Sequence, residues 1–150
     1  MEGRKPTYLG AEIGESVVLN CEVDFPHDTV VPYSVRWNKE VKNCRTQFQA
    51  KRKTNYFFLK QGSMAFAWNG DEQMEISPTF KGRVSRLHED NTHLGRGAVN
   101  LTSIRESDQG WYECQVFFPN RNPPMRPNGT WFHLTVEGKP QCLFKTYNFF

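Results

Sequence analysis

The sequence predicts an all-β protein in which two sheets pack face to face and a disulfide joins them. Cys21 and Cys114 each lie in a run that alternates apolar and polar residues, Trp37 lies between them, and Tyr112 stands two residues before the second cysteine. This order is typical of a Greek-key sandwich of the immunoglobulin type, in which a tryptophan packs beside an inter-sheet disulfide. We therefore expect Trp37 and Tyr112 in the core of a variable-type (V-set) domain.

Turn residues separate a series of short strands, and no helical period is sustained long enough to compete. In the usual lettering the expected strands are B, C, D, E, F and G, at residues 15–24, 33–38, 82–87, 98–104, 111–117 and 131–136. A length of 150 residues suits one such domain. We assign it to residues 10–137, with an N-terminal extension (1–9), an atypical C′ region (43–74) that offers Tyr56 to Leu59 as a loosely predicted strand, and an irregular C-terminal tail (138–150).

The four cysteines allow three pairings. Cys21 and Cys114 are the predicted pair, because each shares the inward phase of its strand with apolar neighbours. Cys44 and Cys142 either pair with each other or remain free thiols in segments outside the domain, and we expect the second. The sequence has no CxxC or HxxxH spacing, so neither a metal nor another cofactor is expected.

Two further contacts inside the domain are expected from the positions of polar residues. The Tyr112 hydroxyl is expected to donate to a backbone carbonyl near the turn between strands E and F, because a buried phenol needs a partner. Arg83 and Asp108 are expected to meet at the base of the sandwich as a bidentate ion pair. Both contacts are structural, and a catalytic role for these residues is not expected.

Composition and targeting signals limit the function classes. The hydrophobic fraction of 37% excludes a wholly disordered chain. A net charge of +3 does not by itself indicate nucleic-acid binding. No apolar run is long enough to enter a membrane, and residues 1–6 are not followed by the apolar part of a signal peptide. A disulfide requires an oxidising compartment. We therefore expect an extracellular or cell-surface location, and interpret the chain as a fragment or an incomplete gene product.

Two N-x-T sequons support that location. Asn100 lies on the outward phase of strand E, and Asn128 lies at the exit of the loop between strands F and G. Each sequon alone is a weak signal, since the pattern is short. Their placement beside a disulfide-bonded fold favours glycosylation at both asparagines.

Several segments together resemble the first, variable-type domain of the turtle proteins, insect relatives of vertebrate immunoglobulin superfamily member nine. The segments that carry the resemblance are 81–86, 100–102, 104–114 and 128–136, with 25–37 similar as well. The resemblance implies a single-pass neuronal cell-surface protein that acts in axon guidance and in dendrite or synapse patterning, often by homophilic binding. Residues 43–74 and 138–150 depart from the family pattern and look like translated non-coding sequence, so a truncated, non-functional product remains an alternative.

Variable-type domains commonly bind partners through the sheet face made of strands G, F, C and C′. Residues on the outward phase of these strands include large aromatics and an arginine, which are the types that anchor interfaces. The predicted partner-binding residues are Arg36, Trp111, Gln115, Phe117, Trp131 and His133. The expected partner is a protein, either a second copy or another cell-surface immunoglobulin protein. Alternatively, Trp111 caps the end of the sheet and Phe117 packs under a loop, which leaves a smaller patch.

Two other functions are alternatives to adhesion. The basic run Lys51-Arg52-Lys53, with Arg45 and Lys60, is a candidate site for heparan sulfate or another polyanion, although a short basic run is usually a solvated loop. An enzyme needs a nucleophile, a base and an orienting acid in one pocket. The four histidines lie in different segments without a catalytic motif, so an enzyme is not expected.

Overall fold

A computed structural model describes residues 5–40, 62–87, 93–121 and 129–137. Nine strands form two sheets in this part of the chain, and their bounds are β1 Thr7–Ala11, β2 Val17–Leu19, β3 Ser34–Lys39, β4 Ser63–Asn69, β5 Glu75–Ile76, β6 Val84–Arg86, β7 Val99–Leu101, β8 Gly110–Phe117 and β9 Thr130–Val136. The larger sheet has the order β1-β9-β8-β3-β4-β5, and the smaller has the order β2-β7-β6. Three pairs of neighbouring strands, β1–β9, β3–β8 and β2–β7, are far apart in sequence, as the predicted Greek-key sandwich requires.

The core lies between the two sheets, and a disulfide crosses it. Along β8 and β9 every second residue is buried, which is the period of a sheet with one face in the core. The predicted Cys21–Cys114 bond is confirmed. Trp37 is fully buried, its ring packs against Phe66 and Phe132, and its indole N–H donates to the Gly97 carbonyl at 3.0 Å. The single polar atom of this large side chain is thereby satisfied inside the core.

A buried ion pair stabilises the end of the sandwich at which β6 and β8 begin. Arg83 donates from both terminal nitrogens to the Asp108 carboxylate, at 2.6 and 2.9 Å, and both side chains are almost wholly buried. The same carboxylate accepts the backbone N–H of Arg105 at 2.8 Å. The Tyr112 hydroxyl donates to the Asp108 backbone carbonyl. Arg83, Asp108 and Tyr112 therefore tie the start of β6, the 3-10 turn Glu106–Asp108 and β8 together.

The structure differs from the sequence prediction at β1, on one edge of the larger sheet, and at β4, next to its other edge. β1 begins at Thr7 and pairs in parallel with β9, so residues 7–9 are part of the sheet and not of an N-terminal extension. β4 lies within residues 43–74, and its Phe66 and Trp68 side chains are buried in the core. The C′ strand of the described residues is thus β4, while the suggested strand from Tyr56 to Leu59 lies outside them.

Other sequence-based expectations also concern residues outside the described part of the chain. They are the state of Cys44 and Cys142, the basic run at residues 51–53, the sequon at Asn128 and the tail from 138 to 150.

Candidate protein-recognition face

The outward side of β3, β8 and β9 carries the predicted partner-binding residues, and we call it the recognition face. The recognition face arises from the two-residue period of these strands, because inward residues fill the core and their neighbours point away from it. The ladder register brings outward residues of adjacent strands side by side. Trp111 lies opposite His133, Glu113 opposite Trp131, and Arg36 opposite Gln115.

An aromatic cluster occupies one end of the recognition face and consists of Tyr8, Trp111, Trp131 and His133. Trp111 lies at the centre, with ring centroids 4.8 Å from His133, 5.8 Å from Tyr8 and 6.2 Å from Trp131. All three contacts are edge-to-face, which is a favourable arrangement for aromatic quadrupoles. Trp111, Trp131 and His133 are half-buried, and Tyr8 keeps 69% of its surface exposed. The cluster is therefore ordered by its own packing and still open to solvent.

Tyr8 was missed by the sequence analysis, because residues 1–9 were placed outside the domain. Parallel pairing of β1 with β9 puts Tyr8 next to His133 in the register, with ring centroids 5.9 Å apart. The available signal was the alternation from Thr7 to Ala11, in which Leu9 and Ala11 face inward. That signal is short, and only the long-range pairing shows that the tyrosine extends the aromatic surface.

A polar network lies beside the aromatic cluster. Arg36 donates from Nε to Asn38 Oδ1 at 2.7 Å, and Asn38 donates from Nδ2 to Gln115 Oε1 at 2.9 Å. The register between β3 and β4 shifts between Trp37 and Asn38, which is the signature of a β-bulge. Asn38, which the sequence pattern places on the outward side, is only 5% exposed. Arg36 is exposed and Gln115 half-buried, so they form the solvent-facing part of the network.

Two glutamates neighbour the aromatic cluster through the backbone. Glu113 is half-buried next to Trp131 in the register, and the backbone N–H of Glu40 donates to the Trp111 carbonyl at 3.0 Å. The pKa of the Glu113 carboxyl is raised, first by burial and then by the negative charge of Glu40, while a hydrogen bond with Asn38 opposes the rise. The recognition face therefore combines aromatic rings, an amide network and acidic groups.

Phe117 and Asn100 lie away from the aromatic cluster. Phe117 is half-buried opposite Ser34, at the other end of the recognition face. Asn100 is half-buried in the middle of β7, where it pairs with Val18 and Ser85 in the smaller sheet. A glycan at Asn100 would stand on the opposite side of the sandwich from the recognition face.

Two other kinds of site are absent from the described ranges. Within the described ranges, no group of three or more histidine, cysteine, aspartate or glutamate residues is placed to hold a metal ion. The same ranges contain no helix with the length and apolar character that a membrane span requires.

Comparisons with known proteins agree with the observed fold. The family described as Immunoglobulin V-set domain matches residues 4–137. Protein borderless of Drosophila melanogaster is 43% identical over 135 residues, covering 90% of this chain and 16% of borderless. Protein turtle of the same species is 40% identical over 134 residues, covering 89% of this chain and 8% of turtle. Human Protein turtle homolog B is 31% identical over 137 residues, covering 91% of this chain and 8% of that protein. The chain thus spans less than a fifth of each of these relatives.

Solved structures are similar in fold at low sequence identity. Domain 1 of VCBP3 from Branchiostoma floridae has a TM-score of 0.60 at 20% identity, covering 90% of this chain and 93% of that one. The extracellular domain of the voltage-gated sodium channel beta4 subunit has a TM-score of 0.55 at 17% identity, covering 91% and 94%. That subunit is described as forming parallel homodimers that explain its role in cell-cell adhesion.

Proposed function

The chain belongs to the immunoglobulin V-set family, and from that premise we propose that it is an extracellular adhesion or recognition domain of a neuronal surface protein. It binds a protein partner, either a second copy or another cell-surface immunoglobulin protein, through the recognition face. The parent protein is a single-pass membrane protein that acts in axon guidance and in dendrite or synapse patterning. Similarity to turtle and borderless supports this role for a domain of this kind.

The aromatic cluster on the recognition face is the observation that carries the proposal. Partly exposed aromatic side chains gathered on one face are unusual for a surface that contacts only water, and they are typical of interface anchors. Because Trp111 packs edge-to-face against His133 and Trp131, its ring is held in place before a partner arrives. Less conformational entropy is then lost on binding, which favours affinity.

The polar surroundings suit a specific interface. Arg36 and Gln115 are joined through Asn38, so their side chains are oriented by hydrogen bonds before contact. A rim of hydrogen-bonded polar groups beside an apolar centre is the usual anatomy of protein interfaces. Glycosylation at Asn100 and Asn128 is part of the proposal, and a glycan at Asn100 would leave the recognition face free.

Beads coated with the oxidised domain test the proposal. If the domain binds itself, coated beads aggregate; if it binds another protein, they attach to cultured neurons. Trp131→Ala and Phe117→Ala are expected to weaken either result, because both remove aromatic area from the recognition face. Val18→Ala is the matched control, since Val18 is 42% exposed on the smaller sheet. Binding that is lost equally with Val18→Ala, or that survives both face variants, would show that the partner binds elsewhere.

A further inference from the structure

The side chain of Glu113 lies against the backbone of Gly129. Gly129 precedes Trp131 by two residues on the same outward phase of the chain. A Cβ added to Gly129 would stand 2.6 Å from Glu113 Oε2 and 2.7 Å from its Cγ, both too close for any side chain. The absent side chain therefore makes the room that the Glu113 side chain occupies. This places an acidic oxygen against Gly129, in the ladder row that pairs Glu113 with Trp131.

The two indoles form a corner. Their planes meet at 78°, with centroids 6.2 Å apart, so the edge of one ring points at the face of the other. A cation that contacts such rings is attracted by the negative charge of the π face, and tryptophan is the best side chain for this contact. Tyr8 and His133 extend the aromatic surface on the far side of Trp111.

The electrostatic setting of Glu113 also favours a cation. Its carboxyl is desolvated and lies close enough to Glu40 for the two negative charges to raise its pKa. An arriving positive charge would relieve both effects, because it stabilises the ionised form. Arg36 is a cation on the same face, and it lies opposite Gln115, one ladder row away from Glu113. Its Nε donates to Asn38 Oδ1.

We propose that Trp111, Trp131 and Glu113 form a recognition site for an arginine side chain of the partner protein. This inference rests on the proposed function, because it names the chemistry of the partner group that the recognition face binds. A guanidinium is planar, stacks on an indole and still offers N–H donors at its edge. Stacked on one indole of the corner, it directs those donors to the Glu113 carboxylate. An apolar partner group would leave that carboxylate desolvated without a new donor.

A peptide titration followed by NMR tests this site without knowledge of the partner. The probes are acetyl-Gly-Arg-Gly-amide and the same peptide with citrulline, which keeps the planar shape and loses the charge. The readout is the indole N–H signals of Trp111 and Trp131 in the full chain, assigned with Trp→Phe variants. We expect the arginine peptide to shift both signals until they saturate. The citrulline peptide is expected to bind at least about fivefold more weakly.

Two variants separate the site from a general effect of negative charge. Glu113→Gln is expected to weaken the arginine peptide about fivefold or more. Glu75→Gln removes a charge from an exposed residue of β5 and is expected to change nothing. Equal shifts with both peptides, or unchanged arginine binding in Glu113→Gln, would overturn the site.

The bead assay distinguishes failure of this inference from failure of the proposed function. If the beads bind through the recognition face but the arginine peptide does not shift the indole N–H signals, the arginine site alone is refuted. Indoles that bind the peptide, in a domain that attaches neither to itself nor to cells, refute the proposed adhesion alone.

Discussion

Asp108→Asn tests how much the buried ion pair between Arg83 and Asp108 stabilises the folded domain. In the native domain the carboxylate faces both terminal nitrogens of Arg83 and accepts the Arg105 N–H, while its own exposed fraction is 0%. The asparagine side chain is of nearly the same size, so the substitution leaves the packing intact and removes the charge. Arg83 is 5% exposed, and its guanidinium then remains buried without a counter-ion.

Breaking a buried pair by removing one partner costs about 3–5 kcal/mol. A domain of this size has a total stability of about 5–15 kcal/mol, so the loss is a large share of it. With a urea m value of about 2 kcal/mol per M, the unfolding midpoint falls by about 1.5–2.5 M. The assay is urea unfolding of the oxidised domain followed by tryptophan fluorescence, with Asp71→Asn in an exposed turn as the control.

A double-mutant cycle with Arg83→Met completes that test. We expect the double variant to lose less stability than the two single changes added together, because removing both charges leaves no unpaired ion in the core. An Asp108→Asn midpoint within about 0.3 M of the native value would refute the reasoning, since it corresponds to less than about 1 kcal/mol.

Three other predictions concern the disulfide, the acidic site and the sequon. Gly97→Ala should cost about 1–3 kcal/mol in urea unfolding, because its Cβ would meet Cys21 Cβ at 2.8 Å and Sγ at 3.1 Å; an unchanged midpoint would refute this close packing. The pKa of the Glu113 carboxyl is raised in the fold, so the folded state binds the carboxyl proton more tightly than the unfolded chain does. The free energy of unfolding of the native domain, relative to Glu113→Gln, should therefore fall as the pH rises from 4.5 through the folded pKa. A stability difference between the two proteins that does not vary with pH would contradict the shift. Asn100→Gln secreted from eukaryotic cells should lose one glycosidase-sensitive mass step on a gel, and native protein without that step would show the site unused.

The core of the sandwich was accessible to sequence reasoning, because its signal is local and repeated. The alternation that buries Val17, Leu19 and Cys21 is visible in the chain, and so is the tyrosine two residues before Cys114. A strand with one face in the core must repeat with a period of two, so pattern and burial agree. The pairing of Cys21 with Cys114 followed from that phase.

β1 and β4, at or next to the edges of the larger sheet, were less accessible to sequence reasoning, because their alternation is short or interrupted. β1 is five residues long, and its inward positions include only Leu9 and Ala11 as apolar side chains. In β4 the bulge opposite Trp37 and Asn38 interrupts the register, so Ala65 and Phe66 are buried in succession and no simple alternation marks the strand. The sequence pattern therefore failed where the two-residue period is broken or very short.

The recognition face was predicted in part for the same reasons. The outward phase of β8 and β9 identified the positions of Trp111, Trp131 and His133 on one face. It could not show that Tyr8 joins them, because that contact comes from a parallel pair of strands far apart in sequence. Nor could it show that Gly129 makes room for Glu113, which depends on distances of a few ångströms across the ladder.

Binding of the oxidised, tetramerised domain to cultured neurons, and to beads that carry the same domain, is the most direct test of recognition through this face. Trp131 is half-buried in the aromatic cluster, and Val18 is exposed on the opposite sheet. If Trp131 is a hot spot, Trp131→Ala weakens binding by about thirtyfold or more, while Val18→Ala binds like the native domain. Native-strength binding by Trp131→Ala, or equal loss with Val18→Ala, would contradict the account.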